Sequence, residues 1–281
     1  MANSLLSWYG GKWRLSGWII EHLNRYPHDI YVEPFGGGAS VLTAKPPVPT
    51  EVYNDIDSRL ADFFVVLADE TVFERFRKIV AMLPYSRKLF TEYRDTIHNE
   101  PDIVKRAAMF FVIARQSFTG NAKDYGYTRT RKCVEHWISA VEDLPEFHAR
   151  LRKVQIEHKD GLKVIDSFDT ETTLFYCDPP YIGETRVGGK RYRYEMDDSS
   201  HVELVKKLLS IKGQAALSGY EHPIYRSLLD NGWTMVQCEV VCSATAKTIG
   251  SGNIGGGSCI DNRRTECLYL SPVSASVGTL F

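Results

Sequence analysis

Three consecutive glycines near the N-terminus separate a short β-type run from a helical pattern. The run Ile30–Glu33 leads into a Pro-Phe-Gly-Gly-Gly segment, a helix is expected from Ala39, and a second β-type run covers 51–54. Glycines at a strand-to-helix turn let backbone N–H groups and the helix N-terminus come close to a ligand. The order strand, glycine loop, helix, strand therefore predicts an α/β protein with a binding site at this turn.

An acidic residue stands at the end of the second β-type run. Asp55 lies 19 residues beyond Gly36. Carboxylates that hold ribose hydroxyls in nucleoside-binding α/β folds stand roughly 20 residues beyond the loop. The loop is not a G-x-G-x-x-G pattern, because Glu33 and Pro34 come before its glycines. Alone it could be a tight turn, but together with Asp55 it favours a cofactor that contains a nucleoside.

The rest of the chain is helical at first and then alternates between helical and β-type patterns. Amphipathic spacing over 57–118 predicts several helices, and 119–132 is polar and basic, hence an exposed loop. The alternation that follows predicts a mostly parallel sheet covered on both faces. We expect strands over 154–157, 173–177, 214–218, 234–242 and 266–271, and helices near 160–166, 199–211 and 223–231. The last two strands are joined by a Gly/Ser-rich loop over 243–264, so they should pair antiparallel.

Composition excludes several classes of protein. The 281 residues are 43% hydrophobic and 25% charged, which is unlike disordered, collagenous or small disulfide-rich chains. No apolar run approaches the roughly 18–20 residues that span a bilayer, and the first twenty residues lack a secretion signal, so we expect a cytoplasmic protein. The six cysteines form no C-x-x-C pair, so no metal site is expected. The net charge of −1 argues against a uniformly basic surface but allows a local basic face.

A second group of polar residues follows the apolar run over 174–177. Asp178, Pro179, Pro180 and Tyr181 come directly after this strand, at the end where open α/β sheets bind ligands. The Asp178 side chain and the Pro179 carbonyl place two acceptors near one point, which suits the two donors of an exocyclic amino group. The Tyr181 ring offers a flat surface for a base. The alternative is a strand end followed by a rigid turn.

At these residues the chain resembles the S-adenosyl-L-methionine-dependent DNA adenine methyltransferases of the Dam-like type. The D-P-P-Y sequence at 178–181 is the signature of that family. The segment E-P-F-G-G-G at 33–38 is similar to its cofactor loop, N-D-I-D at 54–57 to its ribose-binding segment, and W-Y-G-G-K at 8–12 to its N-terminal motif. The resemblance covers nearly the whole chain, although it is loose between 70 and 150.

The resemblance implies a Rossmann-like methyltransferase sheet with a C-terminal antiparallel hairpin. It assigns 1–57 and 151–281 to the catalytic domain and 58–150 to a mainly helical, inserted target-recognition domain. Lys12 suits a carboxylate, Asp55 suits the ribose, and Asp160 either lies near the cofactor adenine or is an exposed helix cap. The full set implied to bind S-adenosyl-L-methionine is Trp8, Lys12, Phe35, Gly36, Gly37, Gly38, Asp55, Asp160 and Asp178.

The activity implied is methyl transfer from S-adenosyl-L-methionine to N6 of an adenine in double-stranded DNA. Asp178 and the Pro179 carbonyl would hold the amino group, and Tyr181 would stack on the base, with its ring mattering more than its hydroxyl. A base inside a duplex cannot reach such a pocket, so the target must be flipped out. Cys177, on the buried strand, is expected in the core and not as a nucleophile.

Basic and aromatic side chains between 115 and 132 point to DNA contact, and 115–121 is similar to a phosphate- and base-contacting region of the family. Basic groups hold phosphates, while Asn and Arg can read base edges. The alternative is a solvated surface loop. A second basic stretch, 186–193, could be a flap over DNA. The predicted DNA contacts are Arg115, Ser117, Asn121, Lys123, Arg129 and Arg131.

Several alternatives stay open. A cytosine-N4 methyltransferase tends towards Ser at the position of Asp178, and a protein glutamine methyltransferase usually has Asn there. A DNA-binding protein with an inactive cofactor site would not need the intact Asp55, Asp178 and Tyr181, and a nicotinamide dehydrogenase would need another loop. The expected partner is double-stranded DNA bound by a monomer, with no membrane. A restriction endonuclease of the same system is a further candidate partner.

Overall fold

A computed structural model describes residues 4–183, 193–241 and 263–273 of the chain. Seven strands form one sheet in the order β3-β2-β1-β4-β5-β7-β6. Strands β1 to β5 pair in parallel, and β7 lies antiparallel between β5 and β6. The strands are β1 (Ile30–Glu33), β2 (Thr50–Asn54), β3 (Gln155–Glu157), β4 (Thr173–Cys177), β5 (Gln214–Gly219), β6 (Thr234–Val241) and β7 (Arg263–Leu270).

The strands agree with those expected from the sequence, and the antiparallel pairing of the last two is confirmed. The largest difference is at β7, which begins at Arg263 and not at 266. The polar residues at its start carry no apolar alternation, but their backbone pairs with Glu239, Val240 and Val241 of β6. Most of the predicted Gly/Ser-rich loop lies outside the described residues.

Helices cover both faces of the sheet, as the alternating pattern predicts. In β4, Leu174 and Tyr176 pack against one layer of helices, and Phe175 and Cys177 pack against the other. The first layer contains α1 (Ser16–Leu23), α2 (Ser40–Ala44), α3 (Ser58–Ala68), α4 (Glu70–Ala81), α5 (Arg87–Thr96), α6 (Ile103–Gln116), α7 (Lys132–Glu142) and α8 (Leu144–Leu151). The second contains α9 (Gly161–Phe168), α10 (Asp198–Leu208) and α11 (Arg226–Asp230), the last preceded by a 3-10 turn, Pro223–Tyr225.

The helices expected over 57–118 are present as α3 to α6. Each begins where a side-chain oxygen accepts a backbone N–H of the first turn, which stabilises a helix N-terminus by roughly 1 kcal/mol. The capping residues are Asp57, Asp69, Ser86 and Asp102. Helices α7 and α8, which the sequence did not predict one by one, complete this layer. Helices α3 to α8 share one apolar core with α1 and α2, and their role as a target-recognition domain stays a prediction.

A buried ion pair attaches α8 to the sheet. Arg150 donates to both carboxylate oxygens of Glu51 on β2, at 2.5 and 2.7 Å, and to the carbonyl of Leu42 at 2.8 Å. Glu51 is only 2% exposed.

No helix among the described residues is long and apolar enough to cross a membrane. The same residues contain no group of three or more potential metal ligands.

Candidate active site

A cleft of about 570 Å³ opens at the carboxyl ends of β1, β2 and β4. The chain runs from β1 to β2 on one side and reaches β4 on the other, so the strand order reverses between β1 and β4. Open α/β sheets bind ligands at such a point, outside the carboxyl ends of the strands. The sheet therefore places the glycine loop after β1, Asp55 after β2 and Asp178 after β4 around one cleft.

The glycine loop is packed so closely that two of its positions need glycine. A Cβ at Gly36 would lie 2.3 Å from the ring of Tyr53. Gly37 has a φ of +49°, in the left-handed region that favours glycine. The Tyr53 hydroxyl donates to the Gly37 carbonyl at 2.8 Å, and Gly36 N–H donates to the Asn54 carbonyl at 2.7 Å. The end of β2 thus fixes the loop and holds it against the cleft.

Asp55 braces the same loop. Its Oδ2 accepts from the N–H of Gly37 at 2.9 Å, and its Oδ1 accepts from the N–H of Asp57 at 2.8 Å. Burial raises the pKa of Asp55 to about 6, against the lowering effect of these two hydrogen bonds. The carboxylate faces the cleft and can still accept hydrogen bonds from a ligand, since each of its oxygens has more than one lone pair.

Asp178 forms an ion pair with Lys12. The Lys12 ammonium lies 2.9 Å from Oδ1 of Asp178 and donates to the Gly10 carbonyl at 2.8 Å. Burial raises the pKa of Asp178, and the charge and hydrogen bond of Lys12 oppose that rise. Lys12 is 7% exposed. The resemblance places Lys12 at the cofactor site as a residue suited to a carboxylate of the ligand, and that role stays a prediction; in this structure its ammonium pairs with Asp178 of the chain itself.

Tyr181 lies beside this pair with its hydroxyl engaged. The Lys12 ammonium stands 4.7 Å from the centroid of the Tyr181 ring. The hydroxyl donates to Oε2 of Glu266 at 2.7 Å, and the ring makes an edge contact with Tyr220, with centroids 4.9 Å apart. Burial raises the pKa of Tyr181 well above its ordinary value, so the hydroxyl stays a donor at neutral pH. Tyr181 is 6% exposed.

The cleft brings together all the residues predicted to bind the cofactor, from Trp8 to Asp178. Asp160 is the exposed helix cap, since it accepts from the N–H groups of Leu162 and Lys163 at the start of α9. It also borders the cleft, and its place near the cofactor adenine stays a prediction. Of the D-P-P-Y residues, Asp178 and Pro180 line the cleft directly. Pro179 and Tyr181 are buried next to them.

Sequence reasoning missed several cleft residues. Glu33 is 2% exposed and accepts from the Tyr31 hydroxyl at 2.8 Å, and burial raises its pKa to about 8. The alternation of side chains along a strand could have indicated this contact, because it places residues 31 and 33 on the same face of β1. Arg193, the last residue of the basic stretch predicted as a flap, also lines the cleft and lies 3.9 Å from Asp57. The rest of that predicted flap falls outside the described residues.

The charge of the cleft is predominantly negative. Acidic side chains outnumber basic ones in its described lining even when Glu33 is left out of the charge because its pKa is raised to about 8, and a net acidic site favours a cationic ligand. The acidic members are Glu33, Asp55, Asp57, Asp160, Asp178, Glu195 and Glu203, and the basic members are Lys12, Arg59, Lys123 and Arg193.

The predicted DNA contacts divide into two groups. Asn121 and Lys123 border the cleft, and Arg129 and Arg131 are exposed in the loop beyond them. Ser117 is 7% exposed and donates to the carbonyl of Ala114. Ser117 is therefore the first member of a second group, whose side chains point towards the helices and not to the surface of the loop.

Arg115 also belongs to the inward group. Its guanidinium donates to the Ser4 carbonyl at 2.9 Å and to the His136 carbonyl at 3.1 Å. Burial lowers the pKa of Arg115 to about 10. These contacts connect the end of α6 to the N-terminal segment and to α7, so Arg115 contributes to the packing of these segments.

Comparison with known proteins agrees with this geometry. A family model described as D12 class N6 adenine-specific DNA methyltransferase matches residues 8–235, which is most of the chain and includes the glycine loop, Asp55 and the D-P-P-Y segment. A search of curated protein sequences gave no significant match. With a family match of this extent, and with the motif residues gathered around one cleft, the chain belongs to the D12 class N6 adenine-specific DNA methyltransferase family and is an enzyme of DNA adenine methylation.

Proposed function

We propose that this protein transfers a methyl group from S-adenosyl-L-methionine to N6 of an adenine that has been flipped out of duplex DNA. The observation that carries the proposal is the position of Asp178. It ends β4 at the point where the strand order reverses, in the same cleft as Asp55 and the glycine loop. A nucleoside and an amino group can therefore be held next to each other.

The cleft residues fit the cofactor. A Cβ at Gly36 or Gly37 would crowd Tyr53 or Trp8, which leaves backbone as the surface under the ligand. Asp55 presents acceptors for ribose hydroxyls, and Phe35 and Trp8 offer apolar surface. The excess of acidic side chains suits a ligand with a sulfonium and an ammonium group against one carboxylate. A volume of about 570 Å³ lies within the usual range for small-molecule sites.

The chemistry needs acceptors and positioning more than a nucleophilic side chain. S-adenosyl-L-methionine supplies an electrophilic methyl group when bound. The Asp178 carboxylate and the Pro179 carbonyl would accept the two amino hydrogens of adenine and direct its nitrogen lone pair towards the cofactor site. Correct orientation of two reactants contributes a large part of such a rate. Preorganised hydrogen-bonding groups stabilise the charge that develops. Cys177 is buried, and burial raises the pKa of its thiol, so it is a core residue.

DNA would approach along the rim that contains Asn121 and Lys123 and continue over the exposed loop with Arg129 and Arg131. Phosphate contacts from such residues supply affinity, and Asn and Arg side chains supply base contacts. Extrusion of the adenine follows from the depth of Asp178, whose side chain is 18% exposed. We also propose that the enzyme acts in the cytoplasm as a monomer, and a restriction endonuclease partner stays a prediction of the resemblance.

Product analysis tests this proposal. Purified protein is incubated with S-adenosyl-L-methionine and unmethylated duplex DNA, the DNA is digested, and its nucleosides are separated by mass spectrometry. We expect N6-methyldeoxyadenosine, dependent on added cofactor. N4-methyldeoxycytidine would support the cytosine alternative. Cofactor-independent DNA binding with no modified base would support the inactive DNA-binding protein. Long-read detection of modified bases on the same DNA would then give the sequence context.

A further inference from the structure

The tyrosine of the D-P-P-Y segment is connected to the last strand of the sheet. The Tyr181 hydroxyl donates to Oε2 of Glu266 at 2.7 Å. Glu266 lies on β7, opposite Cys238 of β6, and the next residue, Cys267, pairs with Gly219 at the end of β5. One hydrogen bond thus joins the segment after β4 to the antiparallel hairpin, far along the chain.

We infer that Glu266 is a positioning residue that fixes the Tyr181 ring for the target adenine. The inference rests on the proposed function, because it gives the ring a task only if a base is bound beside Asp178. Hydrogen bonds with a charged partner are roughly twice as strong as neutral ones. The contact is also sheltered from solvent, since Tyr181 is 6% exposed. Glu266 is therefore well placed to hold the ring in one orientation.

Two further contacts fix the position of this ring. The Lys12 ammonium lies over it, 4.7 Å from the centroid, and Tyr220 meets it at an interplanar angle of 79°. Tyr220 is itself fixed, because Arg264 donates to its hydroxyl at 3.2 Å. Glu266 and Arg264 are both on β7, so the same strand holds two neighbouring aromatic rings. This arrangement makes β7 a supporting wall of the base site.

The resemblance implies that the Tyr181 ring matters more than its hydroxyl, and the contact with Glu266 gives the hydroxyl a task as well. Phe at 181 keeps the ring but removes the hydrogen bond, and it leaves the Glu266 carboxylate without that donor. Glu266 is half-buried, and a carboxylate at such a position that loses its hydrogen-bond donor favours a local rearrangement. The ring of a Tyr181→Phe variant would then sit less firmly against the base. The hydroxyl contributes through its link to Glu266 and not through contact with substrate.

Four variants test the inference: Glu266→Ala, Glu266→Gln, Tyr181→Phe and Tyr181→Phe combined with Glu266→Ala. The assay is single-turnover methyl transfer to a duplex whose target site has been mapped on the wild type. Glu266→Ala should slow transfer by roughly ten- to a hundredfold, the effect of losing a hydrogen bond to a charged group. Glu266→Gln, which keeps an acceptor oxygen, should recover most of that rate. The double variant should be no slower than Tyr181→Phe, since both changes remove one interaction.

A duplex with 2-aminopurine at the target position provides a second readout. Its fluorescence reports how a flipped base stacks, and Glu266→Ala should change the signal of the bound complex while the dissociation constant for S-adenosyl-L-methionine stays unchanged. Glu239→Ala, an exposed acid on the neighbouring strand β6, is the matched control, and melting temperatures check folding.

Wild-type rates in Glu266→Ala, a Glu266→Gln variant as slow as Glu266→Ala, or additive losses in the double variant would each overturn the inference. If Glu266→Ala does not fold, the rates of Glu266→Gln and Tyr181→Phe decide: Tyr181→Phe alone should be slow, and a fast one would overturn it. Failure of the wild type to methylate any DNA would instead contradict the proposed function, so the two failures are distinguishable.

Discussion

The ammonium of Lys12 lies 2.9 Å from Oδ1 of Asp178, and this contact joins the N-terminal segment to the D-P-P-Y segment at the centre of the cleft. Burial raises the pKa of Asp178, which favours its neutral form, and Lys12 acts against that effect. A neutral carboxyl is a poorer acceptor for the amino hydrogens of a base. Lys12 therefore keeps Asp178 in the form that the proposed reaction needs.

Removal of this cation should move the pH dependence of the reaction. In Lys12→Met the pKa of Asp178 loses the influence that lowers it, so the carboxylate forms only at higher pH. The acid limb of the single-turnover pH–rate profile should shift upward, with activity partly recovered in mildly alkaline buffer. Lys206→Met, at an exposed position on α10, is the control and should keep the wild-type profile. An unshifted acid limb in Lys12→Met would separate Lys12 from the ionisation of Asp178.

Asp55 should control cofactor binding. Asp55→Ala should weaken the affinity for S-adenosyl-L-methionine by roughly 1.5–3 kcal/mol, the range for hydrogen bonds to charged groups. DNA affinity measured without cofactor should change little. Isothermal titration calorimetry gives the dissociation constant, and an unchanged value in Asp55→Ala would remove this residue from the site.

The raised pKa of Asp55 adds a pH dependence to the same measurement. Its pKa is about 6, so the carboxylate is charged above that pH and becomes protonated as the pH falls through it. Cofactor affinity should therefore decrease between about pH 7 and pH 5. Asp55→Asn, which has no charge to lose, should flatten this dependence, whereas Asp166→Asn, on the exposed face of α9, should retain it.

The exposed arginines of the loop and the half-buried Arg115 should behave differently. Each phosphate contact contributes about 0.9 to the log–log dependence of DNA affinity on salt. Arg129→Ala combined with Arg131→Ala should lower that slope by about two and leave cofactor affinity unchanged. Arg115→Ala should instead lower the melting temperature, because it removes the donors to Ser4 and His136. Fluorescence anisotropy at several salt concentrations measures the slope, and a slope that did not change in the double variant would make the loop a solvated surface.

The buried ion pair between Arg150 and Glu51 should contribute to stability. Arg150→Met leaves the Glu51 carboxylate, which is 2% exposed, without its hydrogen-bonded partner, and breaking a buried ion pair in this way costs about 3–5 kcal/mol. Adding Glu51→Gln removes the buried charge and should restore a large part of the loss. Urea unfolding of the single and double variants measures this. Equal stability of Arg150→Met and wild type would show that α8 does not depend on this pair.

Hydrophobic periodicity and the positions of glycine and proline were sufficient to predict most of the fold. The apolar run before Asp178 predicts a strand buried on both faces, and the glycines after β1 predict a turn that Tyr53 and Asp55 do fix. The beginning of a strand was harder to predict where its first residues are charged or polar. Strand β7 begins at polar residues whose side chains show no strand pattern in the sequence. They belong to the strand because their backbone pairs with β6.

The site was predictable where a local motif carries the chemistry, and not where distant residues meet. Asp55 and Asp178 follow strands, so their place at one sheet edge follows from the parallel order. The contact of Tyr181 with Glu266 joins residues 85 positions apart in the sequence. The inward orientation of Arg115 depends on backbone carbonyls of Ser4 and His136, which have no sequence signature. Motif spacing can single out a charged residue such as Arg115, but whether its side chain faces solvent depends on how the surrounding segments pack.

The rate of methyl transfer by Asp178→Ala tests the central claim most directly. Wild type, Asp178→Ala and the surface control Asp166→Ala are compared in single turnover with tritiated S-adenosyl-L-methionine and mixed-sequence duplex DNA, with folding checked by melting. By analogy with the loss of one oxyanion-hole donor, Asp178→Ala should slow transfer to adenine N6 by about a hundredfold or more, and Asp166→Ala should match the wild type. Transfer by a folded Asp178→Ala at a rate near that of the wild type would contradict the account.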